Sequence, residues 1–178
     1  WDPNFRATQI DVARTGQDNS LANTGGVSYA FNPPFGNRRI KWSNTFASTE
    51  AVVGNRGPGY DLISQTGAFK LNETAPNTSS FTTKSGIGSN TLLIHGGRTS
   101  WEGNIAYNDN HVTFETRPDP ETLPFTFSSL PANSRTQFDN VFATENDQTR
   151  TLDIENLSTP GGQNSTNNYL RTWSQLSG

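Results

Sequence analysis

The sequence predicts a mainly β fold, an antiparallel sheet with long loops, and three observations lead to that prediction. Asn, Ser and Thr make up about a third of the 178 residues, and such side chains favour turns, caps and exposed strand faces over helix interiors. Short strand-like runs are separated by Gly, Pro and Asn, as in antiparallel proteins. One stretch, residues 103–116, alternates as a β-hairpin does. The predicted strands are residues 27–32, 38–42, 50–53, 81–84, 91–95, 103–108, 111–116, 123–128 and 149–154.

The chain is predicted to contain one globular domain that follows a short N-terminal segment. A length of 178 residues is typical of a single domain. Residues 1–20 carry a loose helical pattern, with Phe5, Ile10 and Val12, and are interpreted as the possible end of a helix entering from outside the chain. Residues 21–178 are the β-rich domain, so the class becomes α+β if that helix is counted. No run of about 18 apolar residues is present, and no transmembrane span is predicted in this chain.

The hairpin has a predicted register. A two-residue turn at residues 109–110 places Tyr107 opposite Val112. It also places Ile105 opposite Phe114. Because strand side chains alternate, these four apolar residues are predicted to share one face of the sheet.

The same region resembles the C-terminal motif of the prepilin-type, processing-associated pseudopilins. In that family a His, often followed by glycines, precedes a hairpin of the form G-N-V-x-x-A-D-G-H-V-x-F. The matching residues of this chain are His95, Gly96, Gly97, Gly103, Asn104, Ile105, Asp109, His111, Val112 and Phe114. The chain departs from the family in two ways: an insertion around residues 98–101 separates His95 further from Asp109, and Asn110 replaces the turn glycine. Shorter patches that look like family elements are residues 28–31, 49–56, 139–142 and 168–171.

The resemblance implies a structural protein that is not an enzyme. It implies the globular domain of a pilin-like subunit, which packs against copies of itself in an extracellular or cell-surface filament or pseudopilus. A membrane would be reached only through an N-terminal helix absent from this chain. Because aromatic residues are enriched at interface cores, Trp42, Trp101 and Trp173 are candidates for exposed subunit contacts, with ordinary burial in the core as the alternative for each.

Residues that carry catalysis are scarce in this sequence. Its two histidines, His95 and His111, could meet across the sheet and join Asp109 or Glu102 in acid–base or metal chemistry. We interpret both as structural, since a metal-binding His needs further converging ligands. The sequence has no Gly-x-Ser-x-Gly motif and no phosphate-binding loop. The chain is therefore predicted not to be an enzyme.

The charge of the chain argues against nucleic acid as a partner. The 13 Lys and Arg are outnumbered by 16 Asp and Glu, which gives a net charge of −3, whereas phosphate binding needs a broad basic surface. The one basic cluster, residues 38–42, is predicted to be an amphipathic strand with a solvated basic face. Binding to a membrane surface is disfavoured for the same reason.

Calcium and glycans are the bound groups that the sequence accommodates, and no other cofactor is predicted. Carboxylates are hard oxygen ligands that suit Ca²⁺, and the resemblance adds weight because some pilin-like proteins pin a C-terminal loop with calcium. The candidate calcium ligands are Asp139, Glu145, Asp147 and Asp153. Sequons for N-glycosylation begin at Asn72, Asn77, Asn156 and Asn164.

Two other functions are compatible with this composition. A secreted β-sandwich that binds carbohydrate stacks Trp and Tyr rings on sugars and uses Asn and Asp as hydrogen-bond partners. An exposed cluster of Trp42, Trp101 and Tyr107 would favour it. A viral coat or tail protein shares the Cys-free, Asn- and Thr-rich composition.

Overall fold

The computed structural model describes residues 29–34, 36–64, 69–72, 86, 89–95, 99–152 and 165–170. This part of the chain is mainly β, with antiparallel strand pairs, which confirms the predicted fold class. Its helical residues form two 3₁₀ helices, Gly36–Lys41 and Asn90–Leu93. The N-terminal segment 1–20 lies outside the described residues, and so does the predicted strand 81–84.

The described strands form one larger sheet and two strand pairs. They are β1 (Tyr29–Phe31), β2 (Ala51–Asn55), β3 (Tyr60–Leu62), β4 (Phe69–Leu71), β5 (Gly103–Tyr107), β6 (Val112–Glu115), β7 (Pro124–Thr126) and β8 (Thr136–Phe138). The sheet is antiparallel with the order β1-β2-β5-β6, while β3 pairs with β4 and β7 pairs with β8. Each pair therefore joins strands that are consecutive in the sequence, except the pair of β2 and β5.

The four-stranded sheet has one buried face. Ala30, Gly54 and Ile105 are cross-strand neighbours there, and all three are buried. A β-bulge between Ala51 and Val53 turns these two side chains to opposite faces. Ala51 is therefore buried, whereas Val53 is exposed.

Trp101 is the largest fully buried side chain and lies in the core. Its ring meets the ring of Phe142 edge-on, with centroids 4.7 Å apart, and its Nε1 donates to the carbonyl oxygen of Arg56 at 3.1 Å. The prediction that Trp101 is an exposed subunit contact was wrong, because both its ring and its polar atom are satisfied inside the domain. The remaining buried core residues are Ala30, Ala51, Leu92, Ile105, Tyr107, Leu123, Val141, Phe142 and Leu170.

Replacing Gly103 by Ala is expected to destabilise the domain by about 1–3 kcal/mol, the usual cost of overpacking a core. A Cβ at this position would lie 2.6 Å from Cζ2 of Trp101 and 2.9 Å from Cβ of Asn55. Urea denaturation measures the effect, with Asn104→Ala as the control because Asn104 is exposed on the same strand. Equal stability of the two variants would contradict the expected clash.

The loop of the β5–β6 hairpin has three residues, Asn108, Asp109 and Asn110, where the sequence predicted two. The N–H of Tyr107 donates to the carbonyl oxygen of His111 at 3.0 Å. The N–H of Asn110 donates to the carbonyl oxygen of Tyr107, also at 3.0 Å. Asn110 has φ of 70°, the left-handed conformation that closes such a loop. The predicted register was therefore wrong by one residue.

The change of register moves two apolar side chains to the other face of the sheet. Val112 pairs with Ala106, and Phe114 pairs with Asn104. Both therefore point away from Ile105, which is buried. The prediction that the apolar residues of both strands share one face was wrong.

Two predicted strands are 3₁₀ helices instead. Residues 38–42 overlap the helix Gly36–Lys41, where Arg38 is fully buried while Arg39 and Ile40 are exposed. The basic residues therefore do not form one solvated strand face, as was predicted. Residues 91–95 overlap the helix Asn90–Leu93.

The remaining differences concern short elements. The predicted strand 149–154 is described as far as residue 152. This part forms no strand, and Leu152 makes only an isolated antiparallel β-bridge with Glu145. Three strands were not predicted, β3, β4 and β8, and each is three residues long. Strands of that length carry too few residues for a clear alternation.

Candidate functional site

The exposed face of the four-stranded sheet is the most extensive candidate surface. Strand alternation and the register place on it Tyr29, Phe31, Val53, Asn55, Asn104, Ala106, Val112 and Phe114. We call these eight residues the open sheet face. Tyr29 is 66% exposed, Val112 is 61% exposed and Phe114 is 51% exposed. None of the eight carries a charge and Asn55 is buried, so the exposed part of this surface is apolar with one amide, that of Asn104.

His95 packs at the edge of the open sheet face. Its ring meets Phe114 edge-on, with centroids 5.2 Å apart. Its Nε2 lies 3.1 Å from Oδ1 of Asn55, which also accepts from the N–H of Asn104 at 2.7 Å. Asn55 thus ties His95 to the start of β5. The contacts of this His hold the strand in place.

His111 lies on the opposite side of the hairpin from His95. Its ring stacks on the ring of Tyr107, with centroids 4.2 Å apart and planes 2° from parallel. Its Nδ1 is hydrogen-bonded to Oδ1 of Asp109, and this bond lowers the pKa of the Asp109 carboxyl. The prediction that both histidines could meet across the sheet was wrong. Within the part of the chain that the structure describes, no three His, Cys, Asp or Glu side chains form a group that could hold a metal ion.

The described residues that match the pseudopilin motif mainly contact other parts of the domain. Gly103 lets Trp101 approach the sheet, and Asn104 is exposed on β5. Asp109 accepts from the N–H of His111 at 3.2 Å within the loop. Gly96 and Gly97 lie outside the described residues.

Two of the four candidate calcium ligands hold a backbone segment, residues 165–170, which we call the clasp segment. The N–H of Thr166 donates to both carboxylate oxygens of Asp147, at 2.8 and 2.9 Å, and its hydroxyl donates to Oδ2 at 2.8 Å. The N–H of Asn168 donates to Oδ2 of Asp139 at 2.6 Å, and its Nδ2 donates to the same atom at 3.0 Å. These carboxylates are thus engaged by the protein itself.

Glu145, the third candidate, is buried and hydrogen-bonded to Arg150. Its Oε1 accepts from Nε of Arg150 at 2.9 Å, and both side chains are almost inaccessible to solvent. Asp153 lies outside the described residues. The three described carboxylates therefore do not form the shared ligand set that the calcium prediction requires, because each is turned to a different partner.

Burial changes the ionisation of two of these carboxyl groups. Burial, with Asp139 nearby, raises the pKa of Glu145 to about 8, although the Arg150 guanidinium opposes the rise. Burial raises the pKa of Asp139 to about 6 against the hydrogen bonds from Asn168 and the charges of Arg38 and Lys41. Removing an ionised carboxylate from water is costly unless it is fully paired. Both groups therefore retain protons more strongly than exposed carboxyls do.

Arg38 is a key residue that the sequence pattern missed. It is fully buried, and its Nη2 donates to Oδ1 of Asn167 at 2.6 Å and to Oγ1 of Thr144 at 2.9 Å. Its Nε donates to the carbonyl oxygen of Asn167 at 2.9 Å, and its guanidinium lies 5.1 Å from the centre of the Tyr169 ring. Arg38 thus binds the clasp segment to the first 3₁₀ helix. Its partners are more than 100 residues away in sequence, so no local pattern could have shown them.

The other predicted site residues differ in exposure. Trp42 is 52% exposed, which is compatible with a contact role, and Trp173 lies outside the described residues. Asn72 is half-buried, and its Nδ2 donates to Oδ1 of Asp61 at 3.0 Å. A glycan on Asn72 would compete with that bond. The other three sequons begin at residues outside the described part, Asn77, Asn156 and Asn164.

The chain matches no protein-family model, no curated protein and no solved structure. No helix among the described residues is long and apolar enough to cross a membrane. A function is therefore argued from the chemistry of the open sheet face, of the clasp segment, and of the buried polar cluster that Arg38, Asp139, Glu145 and Arg150 form.

Proposed function

We propose that this domain is a structural, non-catalytic subunit of an extracellular filament or pseudopilus, in which copies of the chain pack against one another. The open sheet face is the observation that carries the proposal. Contiguous exposed apolar surface of this kind marks a contact site. The occupant that we assign to this face is a second copy of the same chain.

The electrostatics of the chain favour contacts between copies. The open sheet face is uncharged, so two copies can meet over it without desolvating an ion. The net charge of the whole chain is only −3, which leaves little repulsion between copies. The resemblance of the hairpin to pilin-like proteins supports the same partner, since those proteins act by polymerising.

The surroundings of the histidines support a structural role over catalysis. His95 is held by Phe114 and Asn55, and His111 is held by Tyr107 and Asp109. A His–carboxylate pair needs a nucleophile or substrate proton within reach to act in acid–base chemistry. The contacts of His95 and His111 with neighbouring side chains account for both residues as structural ones.

Single introduced cysteines test the assembly surface, because the natural chain has no cysteine that would react. The variant Val112→Cys is produced in the source cells and treated with a short bis-maleimide. We expect dimers and higher species linked through this position, since Val112 is exposed on the open sheet face. Ser129→Cys is the matched control, because Ser129 is exposed at a site away from the sheet.

The outcome of the cysteine experiment is decisive in either direction. Crosslinking at position 112 that exceeds crosslinking at position 129 supports packing through the open sheet face. Equal labelling of both cysteines by a monofunctional maleimide, with no crosslink at position 112, contradicts it. Monofunctional labelling shows that each cysteine is accessible, and circular dichroism shows that each variant is folded.

A further inference from the structure

A groove of about 280 Å³ lies beside the 3₁₀ helix Gly36–Lys41, and nothing in the proposed assembly uses it. Its walls include Lys41, Trp42, Glu50, Tyr107, Asn108 and Asn110. None of the eight residues of the open sheet face lines it. The groove is therefore a separate feature of the surface.

Trp42 supplies a flat aromatic platform in this groove. Its side chain is 52% exposed, yet its Nε1 donates to the carbonyl oxygen of Asn32 at 2.7 Å. This bond fixes the orientation of the ring and occupies its only donor. What the indole offers to a ligand is its face, which binds C–H groups and rings.

The polar rim of the groove is held in place by the protein itself. Nδ2 of Asn108 donates to the carbonyl oxygens of Lys41 (3.3 Å) and Ser43 (3.0 Å) and to Oε2 of Glu50 (2.9 Å). Nζ of Lys41 lies 3.3 Å from Oε1 of Glu50. A rim that is already ordered costs less entropy when a ligand binds. The paired Lys and Glu also leave the groove without net charge.

We propose that this groove binds one uncharged sugar ring of a saccharide. The C–H face of the ring stacks on Trp42, and its hydroxyl groups donate to the amide oxygen of Asn108, whose Nδ2 is already used by the protein, and bond to the amide of Asn110. Because Lys41 and Glu50 neutralise each other, the groove has no net charge to attract an ionic ligand. A purely apolar ligand would cover the amide oxygen of Asn108 and the amide of Asn110 without replacing their hydrogen bonds to water.

The size of the groove limits the ligand to a small group. A volume of about 280 Å³ is just below the range of roughly 300–1,000 Å³ typical of small-molecule sites. One stacked ring with a few hydrogen bonds gives a dissociation constant in the millimolar range. The site is not the exposed cluster of Trp42, Trp101 and Tyr107 that would favour a carbohydrate-binding β-sandwich, because Trp101 and Tyr107 are buried.

The first experiment is an array of densely immobilised mono- and oligosaccharides, probed with the chain in a multivalent form so that binding in the millimolar range is retained on washing. Hits are then titrated as soluble methyl glycosides while the indole N–H signal of Trp42 is followed by ¹H–¹⁵N NMR. We expect uncharged glycans to bind and to shift this signal. Competition by the methyl glycoside shows that a free ring is sufficient, whereas binding to the immobilised polymer alone identifies a surface glycan as the source.

Three variants locate the binding to this groove. Trp42→Ala is expected to weaken binding by about tenfold or more, and Trp42→Phe to restore part of it. Asn110→Gly removes one rim amide while keeping the loop, because its φ of 70° suits glycine, and is expected to weaken binding severalfold. Phe114→Ala, an exposed aromatic outside the groove, is the control and should bind as the natural chain does. No binding on the array with no shift of the Trp42 signal, or binding that Trp42→Ala leaves intact, would overturn the proposal.

Discussion

Replacing Arg38 by Met is expected to lower the free energy of unfolding by about 3–5 kcal/mol, the cost of breaking a buried polar network by removing one partner. Met fills much of the same volume but removes the charge and the donors. Asn167 and Thr144 then lose the bonds that they accept from the guanidinium. Asp139 also loses one of the two cations whose charge favours its ionised form.

We expect the loss of stability in Arg38→Met to be greatest in the clasp segment. Urea denaturation measures the stability, and amide hydrogen exchange at Thr166, Asn168 and Leu170 measures whether the segment opens locally. Arg39→Met is the matched control, since Arg39 is the exposed neighbour in the same helix and is expected to change stability by no more than about 0.5 kcal/mol. Similar stability of the two variants would refute the anchoring role of Arg38.

Replacing Glu145 by Gln is expected to stabilise the domain at alkaline pH, by about 2–4 kcal/mol relative to the natural chain. The folded state holds the Glu145 proton up to a pKa of about 8, against an ordinary value of 4.5. Between these values the unfolded chain binds fewer protons than the folded one. The stability contributed by this group is therefore complete below about pH 4.5 and is lost as the pH rises to about 8.

Gln resembles the protonated carboxyl and removes this loss, while its carbonyl oxygen still accepts from Arg150. The difference in unfolding free energy between variant and natural chain should be small at pH 4.5, grow with pH and level off above pH 8. Urea denaturation at a series of pH values tests this shape. Glu121→Gln serves as the control because the Glu121 side chain is 75% exposed. A difference that does not grow with pH would show that Glu145 is ionised in the folded domain throughout.

The hairpin shows how much of the fold can be predicted from sequence. Apolar alternation correctly located β5 and β6, because period two is a local property of each strand. The register depended on the conformation of one residue, Asn110, whose positive φ adds a third residue to the loop. That choice moved Val112 and Phe114 from the predicted buried face to the open sheet face. The candidate assembly surface therefore could not be predicted from the pattern.

The buried polar cluster shows a second limit of sequence reasoning. The acidic residues of the C-terminal third were identified as unusual, and a calcium site was the simplest chemistry for them. Their actual partners are Arg150 and the clasp segment. Arg38, which binds the same segment, is 129 residues from Asn167. A charged residue in a run such as 38–42 is ordinarily solvated. Only the tertiary fold shows that one member of the run faces inward.

Electron microscopy of assemblies from the native source tests the central claim most directly. The proposed function predicts ordered filaments in which the β6 residues Val112 and Phe114 lie at the contact between subunits. Separate particles, or filaments in which the open sheet face is turned to solvent, would contradict it.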